Sequence, residues 1–104
     1  MAGALGYAWV MDAGEATGPA ASRRHDADAV DVARYQAGNP EAFESLARRH
    51  EREAYQVCYR VLGDREDAMD AVQETFLRVY RGLSRFRGDA AFRTWLIGIA
   101  LHVC

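Results

Sequence analysis

The chain has 104 residues, half of them apolar, with 13 basic and 15 acidic side chains and a net charge of −2. That length implies one domain, the composition is ordinary for a folded globular protein, and no apolar run nears the roughly 18 residues of a membrane span. Its two cysteines, Cys58 and Cys104, are too few for a disulfide framework.

All 13 basic residues are arginine. The near-neutral total conceals a local split. Asp64 to Glu74 holds five acids and one arginine, whereas Thr75 to Arg93 holds five arginines and one acid. A chain with one acidic and one basic patch is suited to two partners of opposite sign.

Residues 1–25 read as a flexible tail, rich in Ala and Gly, interrupted by Pro19 and without a sustained period. Its apolar cluster Leu5, Tyr7, Trp9 and Val10 has no basic residue before it and is broken by Gly6, so a signal peptide is not expected. Met11 is an alternative start. From Asp26 the apolar period becomes helical. Asp26 or Asp28 is expected to cap a short leading helix that carries Val30, Val32, Ala33 and Ala37 and stops at Gly38.

Asn39-Pro40 restarts the chain, Asn as a cap and Pro at the first helical position. Phe43, Leu46, Ala47, His50, Ala54, Val57, Cys58 and Val61 then form one stripe, with His50 at its edge, and Gly63 closes the helix. Asp64 opens a third helix, with Glu66 and Asp67 in the first turn, where the helix dipole favours acids. Its inward stripe is Ala68, Ala71, Val72, Thr75, Phe76, Val79 and Leu83. After the short basic linker Ser84 to Gly88, Asp89 is expected to cap a fourth helix, with Phe92, Trp95, Leu96, Ile99, Ala100 and Val103 inward. No period of two marks a strand. The expected fold over 26–104 is therefore all-α: a compact bundle of three longer helices plus the short leading one. The fourth helix has no stop signal, and its outward Ile97 and Leu101 are also apolar, so the domain is expected to be truncated at its C-terminal end.

Chemistry is sparse. His50, Cys58, His102 and Cys104 lack the spacing of a four-ligand metal site, so no metal is expected. No serine sits in a nucleophile motif, and no glycine-rich loop follows a strand. Neither catalysis nor a cofactor is expected. Two surfaces carry more information. Around the third helix, Asp70, Gln73, Glu74, Leu77 and Arg81 fall opposite the inward stripe, which sets one large apolar side chain among polar ones. That is the make-up of a small protein interface. Between 85 and 95, Arg85, Phe86, Arg87, Phe92, Arg93 and Trp95 interleave cations with aromatics, which suits single-stranded nucleic acid.

The string Asp67-Ala-Met-Asp-Ala-Val-Gln-Glu-Thr-Phe-Leu-Arg-Val-Tyr80 resembles region 2 of bacterial extracytoplasmic-function sigma factors. So does Phe86-Arg-Gly-Asp-Ala-Ala-Phe-Arg-Thr-Trp-Leu96, followed by Ile99-Ala100. Upstream, Gly38-Asn39 with Ala42, Phe43 and Leu46 matches the family's opening helix, so the resemblance runs from about Asp28 to Cys104. It implies a cytoplasmic bacterial protein that docks on the clamp helices of the RNA polymerase β′ subunit, then opens and reads the non-template strand of the promoter −10 element. The implied polymerase contacts are Asp70, Gln73, Glu74, Leu77 and Tyr80. The implied DNA contacts are Arg85, Phe86, Arg87, Gly88 and Asp89 in a loop that captures a flipped base, with Phe92, Arg93, Trp95 and His102 beyond it. An anti-sigma factor is a further implied partner. Ile97, Gly98, Leu101 and His102 depart from the family's usual aromatic, arginine, basic and asparagine positions. On this resemblance, the rest of the −10 reading helix and the second, −35 reading domain (region 4) are expected to be missing from the chain. An interaction module that binds polymerase or an anti-sigma factor without reading promoters is the alternative.

Overall fold

Proline lacks an N–H and holds φ near −65°, so Pro40 can begin a helix but not continue one. Its backbone is helical (φ −67°, ψ −21°), and the first-turn amides of Ala42 and Phe43 bond back to Asn39 and Pro40 at 3.2 and 3.1 Å. The computed structural model describes residues 19–104, with side chains from position 23. Among these residues four helices run in order: α1 (Pro19–Gln36), α2 (Glu41–Leu62), α3 (Arg65–Gly82) and α4 (Phe92–Val103). A single 3-10 turn, Leu83–Arg85, follows α3, and no strand is present among the described residues. The all-α expectation holds.

The helix ends follow local chemistry. Gly63 takes φ 71°, a conformation that costs glycine little, and its N–H bonds Tyr59 O at 2.8 Å to close α2. Asp64 caps α3 through its side chain, which accepts from the Asp67 amide at 2.9 Å. Asp89 does not cap α4 as the sequence suggested. The helix starts at Phe92 after an extended Ala91 with no side-chain cap, and Asp89 instead faces Arg87 at 3.7 Å in solvent.

The leading helix needs the larger correction. It begins at Pro19, so residues 19–25 are helical and Asp26 and Asp28 lie inside it rather than at its start. The tail and the alternative start at Met11, so far as they concern residues 1–18, fall outside the described residues. Val30, Ala33 and Ala37 are exposed, whereas Asp28, Asp31 and Val32 are buried. Polar side chains go inward here because partners await them on α2. Arg49 bonds Asp28 at 2.7 Å and Asp31 at 2.8 Å, and His50 Nε2 donates to Asp28 at 2.7 Å. Arg34 adds a bond to Asp31 at 2.9 Å. His50 is therefore fully buried rather than at a stripe edge, with Nδ1 left without a partner. Burial lowers the Arg49 pKa, but its bonds to Asp31 and Asp28 more than reverse this and hold it above the ordinary value.

Two apolar clusters meet at Phe76. One joins Ala54, Tyr55 and Cys58 of α2 to Ala68, Ala71 and Val72 of α3 and to Ala100 of α4. The other joins Val32, Leu46, Val79, Leu83, Phe92 and Leu96. The alanines let α2, α3 and α4 approach closely, although the leading helix, expected to be short, is as long as α3 and longer than α4. Thr75 enters this core because its hydroxyl donates to Ala71 O at 2.7 Å. Val61, expected inward, is exposed, and Tyr55 is buried in its place.

Three outcomes follow. Asp28→Ala strips His50 Nε2 of its partner and leaves Arg49 with Asp31 alone, and should cost about 3 kcal/mol, read as a lowered midpoint in a thermal melt. Burial, then the hydrogen bond to Cys104, pushes the Cys58 thiol up to about 12. At pH 8 a thiol-titrating disulfide reagent should modify Cys104 quickly and Cys58 only as the protein unfolds. The folded state holds the neutral thiol, so stability should fall as pH rises from the ordinary 9.0 toward 12.

Candidate protein and nucleic-acid interfaces

α3 buries one face and leaves Asp70, Gln73, Leu77 and Tyr80 in solvent. Leu77 is 45% and Tyr80 50% exposed, high values for large apolar bodies. They border a groove of about 940 Å³ between α2 and α3, floored by Phe43, Ala47, Val72 and Phe76. Tyr80 packs edge-on against Phe43 at 5.2 Å and Tyr35 at 6.2 Å, which fixes one end. Glu44 and Glu51 of α2 rim the far wall with Arg48, and Glu44 pairs with Arg48 at 2.8 Å. Glu74 is half-buried and pairs with Arg78 at 2.9 Å. The five expected docking residues thus lie along one flank of α3. The groove's α2 wall was not assigned to a site from sequence, where Phe43 and Ala47 read as core.

The linker after α3 is anchored by Leu83, which is fully buried. Phe86 lies over Trp95 with ring centroids 4.6 Å apart, and Phe92 stands 6.2 Å from Phe86 and 6.0 Å from Trp95. Gly82 makes room for this cluster, since a Cβ there would sit 3.3 Å from Trp95 Cζ2. Phe92, 3% exposed, also packs on His50 at 5.4 Å. The segment then turns at Gly88, whose φ of 80° suits glycine. A groove of about 320 Å³ results, with Phe86, Arg87, Gly88 and Phe92 on one side and α1 on the other. Asp28 and Gln36 line the α1 wall. Neither was singled out for a site from sequence, because their importance comes from long-range partners that no local pattern records.

The expected DNA residues do not form one surface. Phe86, Arg87, Gly88 and Phe92 share the α1 groove. Trp95 and His102 border a second hollow of about 310 Å³ between α3 and α4, with Arg78 and Gly98. Arg93 is drawn to α2, where its guanidinium bonds both oxygens of Glu53. Arg85 is exposed and lines neither hollow, and Asp89 stands in solvent. Among the described residues no group of three or more His, Cys, Asp or Glu is placed to hold a metal ion, and no helix is long and apolar enough to cross a membrane.

Residues 46–104 match the family model described as Sigma-70 region 2. The chain belongs to the sigma-70 region 2 family. Over 82 residues it is 39% identical to the ECF RNA polymerase sigma factor SigM of Mycobacterium tuberculosis, covering 78% of this chain and 42% of that protein. It is 41% identical over 75 residues to the ECF RNA polymerase sigma-E factor of Escherichia coli, covering 72% of this chain and 39% of that protein. The RNA polymerase sigma-H factor of Pseudomonas aeruginosa is 39% identical over 71 residues, covering 68% of this chain and 37% of that protein. This sigma-70 region 2 chain thus spans about two fifths of the length of these relatives. The family match begins at Leu46, so α1 and its buried aspartates lie outside it.

Trp95 is central to the aromatic cluster, so Trp95→Ala should destabilise the region 2 fold by about 3 kcal/mol, while Trp95→Phe should cost far less. Urea denaturation checks this and shows which Trp95 variant is fit for DNA-binding work.

Proposed function

We propose that this chain is a promoter-opening module of an RNA polymerase sigma factor, acting in the bacterial cytoplasm by binding rather than by covalent chemistry. The observation that supports it best is the presence of two hollows of different chemistry that share no lining residue. The α2–α3 groove has an apolar floor, with Glu44, Arg48 and Glu51 on its α2 rim and Gln73 on its α3 rim. It suits a helical polypeptide that offers apolar and basic side chains, as the β′ clamp helices would. Asp70, Gln73, Glu74, Leu77 and Tyr80 then form the docking face. An anti-sigma factor using the same groove would compete with polymerase.

The α1–linker groove suits a base turned out of the duplex. Its aromatic floor offers a stacking surface, and Arg87 and Arg85 stand in solvent where phosphates would pass. Stacking of a base on an aromatic contributes about 1–3 kcal/mol, which offsets much of the few kcal/mol needed to unpair it. The non-template strand of the −10 element is therefore held in its open form, and sequence is read from unstacked bases. Phe92 acts mainly as the buried floor, Trp95 backs the Phe86 ring from outside the groove, and Arg93 enters only if it leaves Glu53.

Core RNA polymerase should bind the unmodified chain, and Leu77→Glu should weaken that binding at least tenfold, about 1.4 kcal/mol. Failure of the folded, unmodified chain to bind core polymerase would refute the docking assignment. Single-stranded DNA binding should weaken steeply with salt. Replacing Arg85 and Arg87 by alanine should flatten the log–log slope by about 1.4, at roughly 0.7 per phosphate contact.

A further inference from the structure

Gln36 is the last residue of α1, and its side-chain amide reaches 47 and 50 residues along the chain. Nε2 donates to Leu83 O at 3.1 Å and to Phe86 O at 2.8 Å. Both N–H donors of the amide are thereby used on the two ends of one turn. The Phe86 amide closes the same turn by bonding Leu83 O at 3.1 Å. The bonds run from α1, on one side of the 320 Å³ groove, to the backbone on the other side. Leu83 is buried, but Phe86 and the residues after it have few other anchors. Phe86 is extended at φ −64°, ψ 126°, and Arg87 to Ala90 are exposed.

We infer that Gln36 is a positioning residue for nucleic-acid binding. It fixes the backbone at Phe86 so that the ring stays on Trp95 and the groove beside α1 keeps a constant width. A flipped base then meets a preformed slot rather than one that must be ordered on binding, which preserves affinity. Gln36 need not touch the base, and its action passes through the two carbonyls. This inference rests on the proposed nucleic-acid role of the groove.

The test uses the full chain with Gln36→Met and Gln36→Lys. Methionine keeps the length and the charge but has no N–H donor, whereas lysine restores donors of similar reach. Amide hydrogen exchange reports the tether without any ligand. Gln36→Met should speed exchange of the Phe86 amide about tenfold and Gln36→Lys should restore it, with α2 and α3 amides unmoved in both. A fluorescein-labelled single-stranded oligonucleotide of random sequence, titrated into the chain bound to core polymerase, reports function. Gln36→Met should weaken it about five- to tenfold at unchanged core-polymerase affinity.

Unchanged exchange in Gln36→Met would overturn the tether. Faster exchange with unchanged DNA affinity would overturn the positioning role while leaving the groove's function intact. No DNA binding by the unmodified complex would remove the proposed role of the groove, and the inference with it. Loss of α2 and α3 protection together with the linker would make Gln36 a general stability residue and overturn the proposal.

Discussion

A carboxylate withdrawn from water holds this structure in its working arrangement. Asp28 is 2% exposed and is satisfied by Arg49 and His50 of the next helix. A buried pair of this kind adds little net stability over an apolar contact, but every arrangement that leaves the charge unpaired is heavily penalised. The network therefore acts on register. It sets which face of α1 meets α2, while Gly38, at φ 104°, ends the helix locally. The position of that end brings Gln36 within reach of the linker, and the groove between α1 and the linker follows. A chain of dependence thus runs from one buried carboxylate, itself in the wall of the hollow, along α1 to the Gln36 contact that holds the opposite wall.

The second determinant is the burial of α3. Ala68, Ala71, Val72, Thr75 and Val79 are consumed between α2 and α4, which leaves Leu77 and Tyr80 no inward place. Their exposure results from a helix whose apolar residues exceed one stripe. Acids gather at the start of the helix, where its dipole favours them, and arginines follow toward its end. The same electrostatic preference that stabilises the helix also separates an acidic start of α3 from the basic linker that follows it.

Much of this was legible in the sequence. The end of α2 and the start of α3 followed from Gly63 and Asp64, since capping and glycine signals act locally, whereas Asn39 supplies no side-chain cap and Pro40 takes the cap position before α2 begins at Glu41. The inward stripe of α3 was read almost residue for residue, because small apolar residues recur there at helical spacing. α1 was not read well. Its inward residues are Asp28, Asp31 and Val32, and the two aspartates do not register in apolar periodicity, so the expected helix starts too late. Asp89 failed as a cap because the chain stays extended through Ala91 before α4 begins. The linker residues were recognised as a group from their cation–aromatic alternation. Their division between two hollows depends on how the helices pack, and the capture of Arg93 on Glu53, 40 residues away, neither of which composition encodes. For Gln36 no signal was available, since its significance is two bonds to backbone carbonyls.

The central claim is that the two hollows serve two different partners at once. Site-specific photocrosslinking tests it most directly. A benzophenone side chain would be placed at Leu77 in one variant and at Arg87 in another. Each would be irradiated in a complex of core RNA polymerase with a DNA fork whose non-template strand is single-stranded. The account predicts that position 77 crosslinks to the polymerase β′ subunit and not to DNA, and that position 87 crosslinks to the non-template strand. Crosslinks from both positions to the same partner, or DNA crosslinks from position 77 alone, would contradict it.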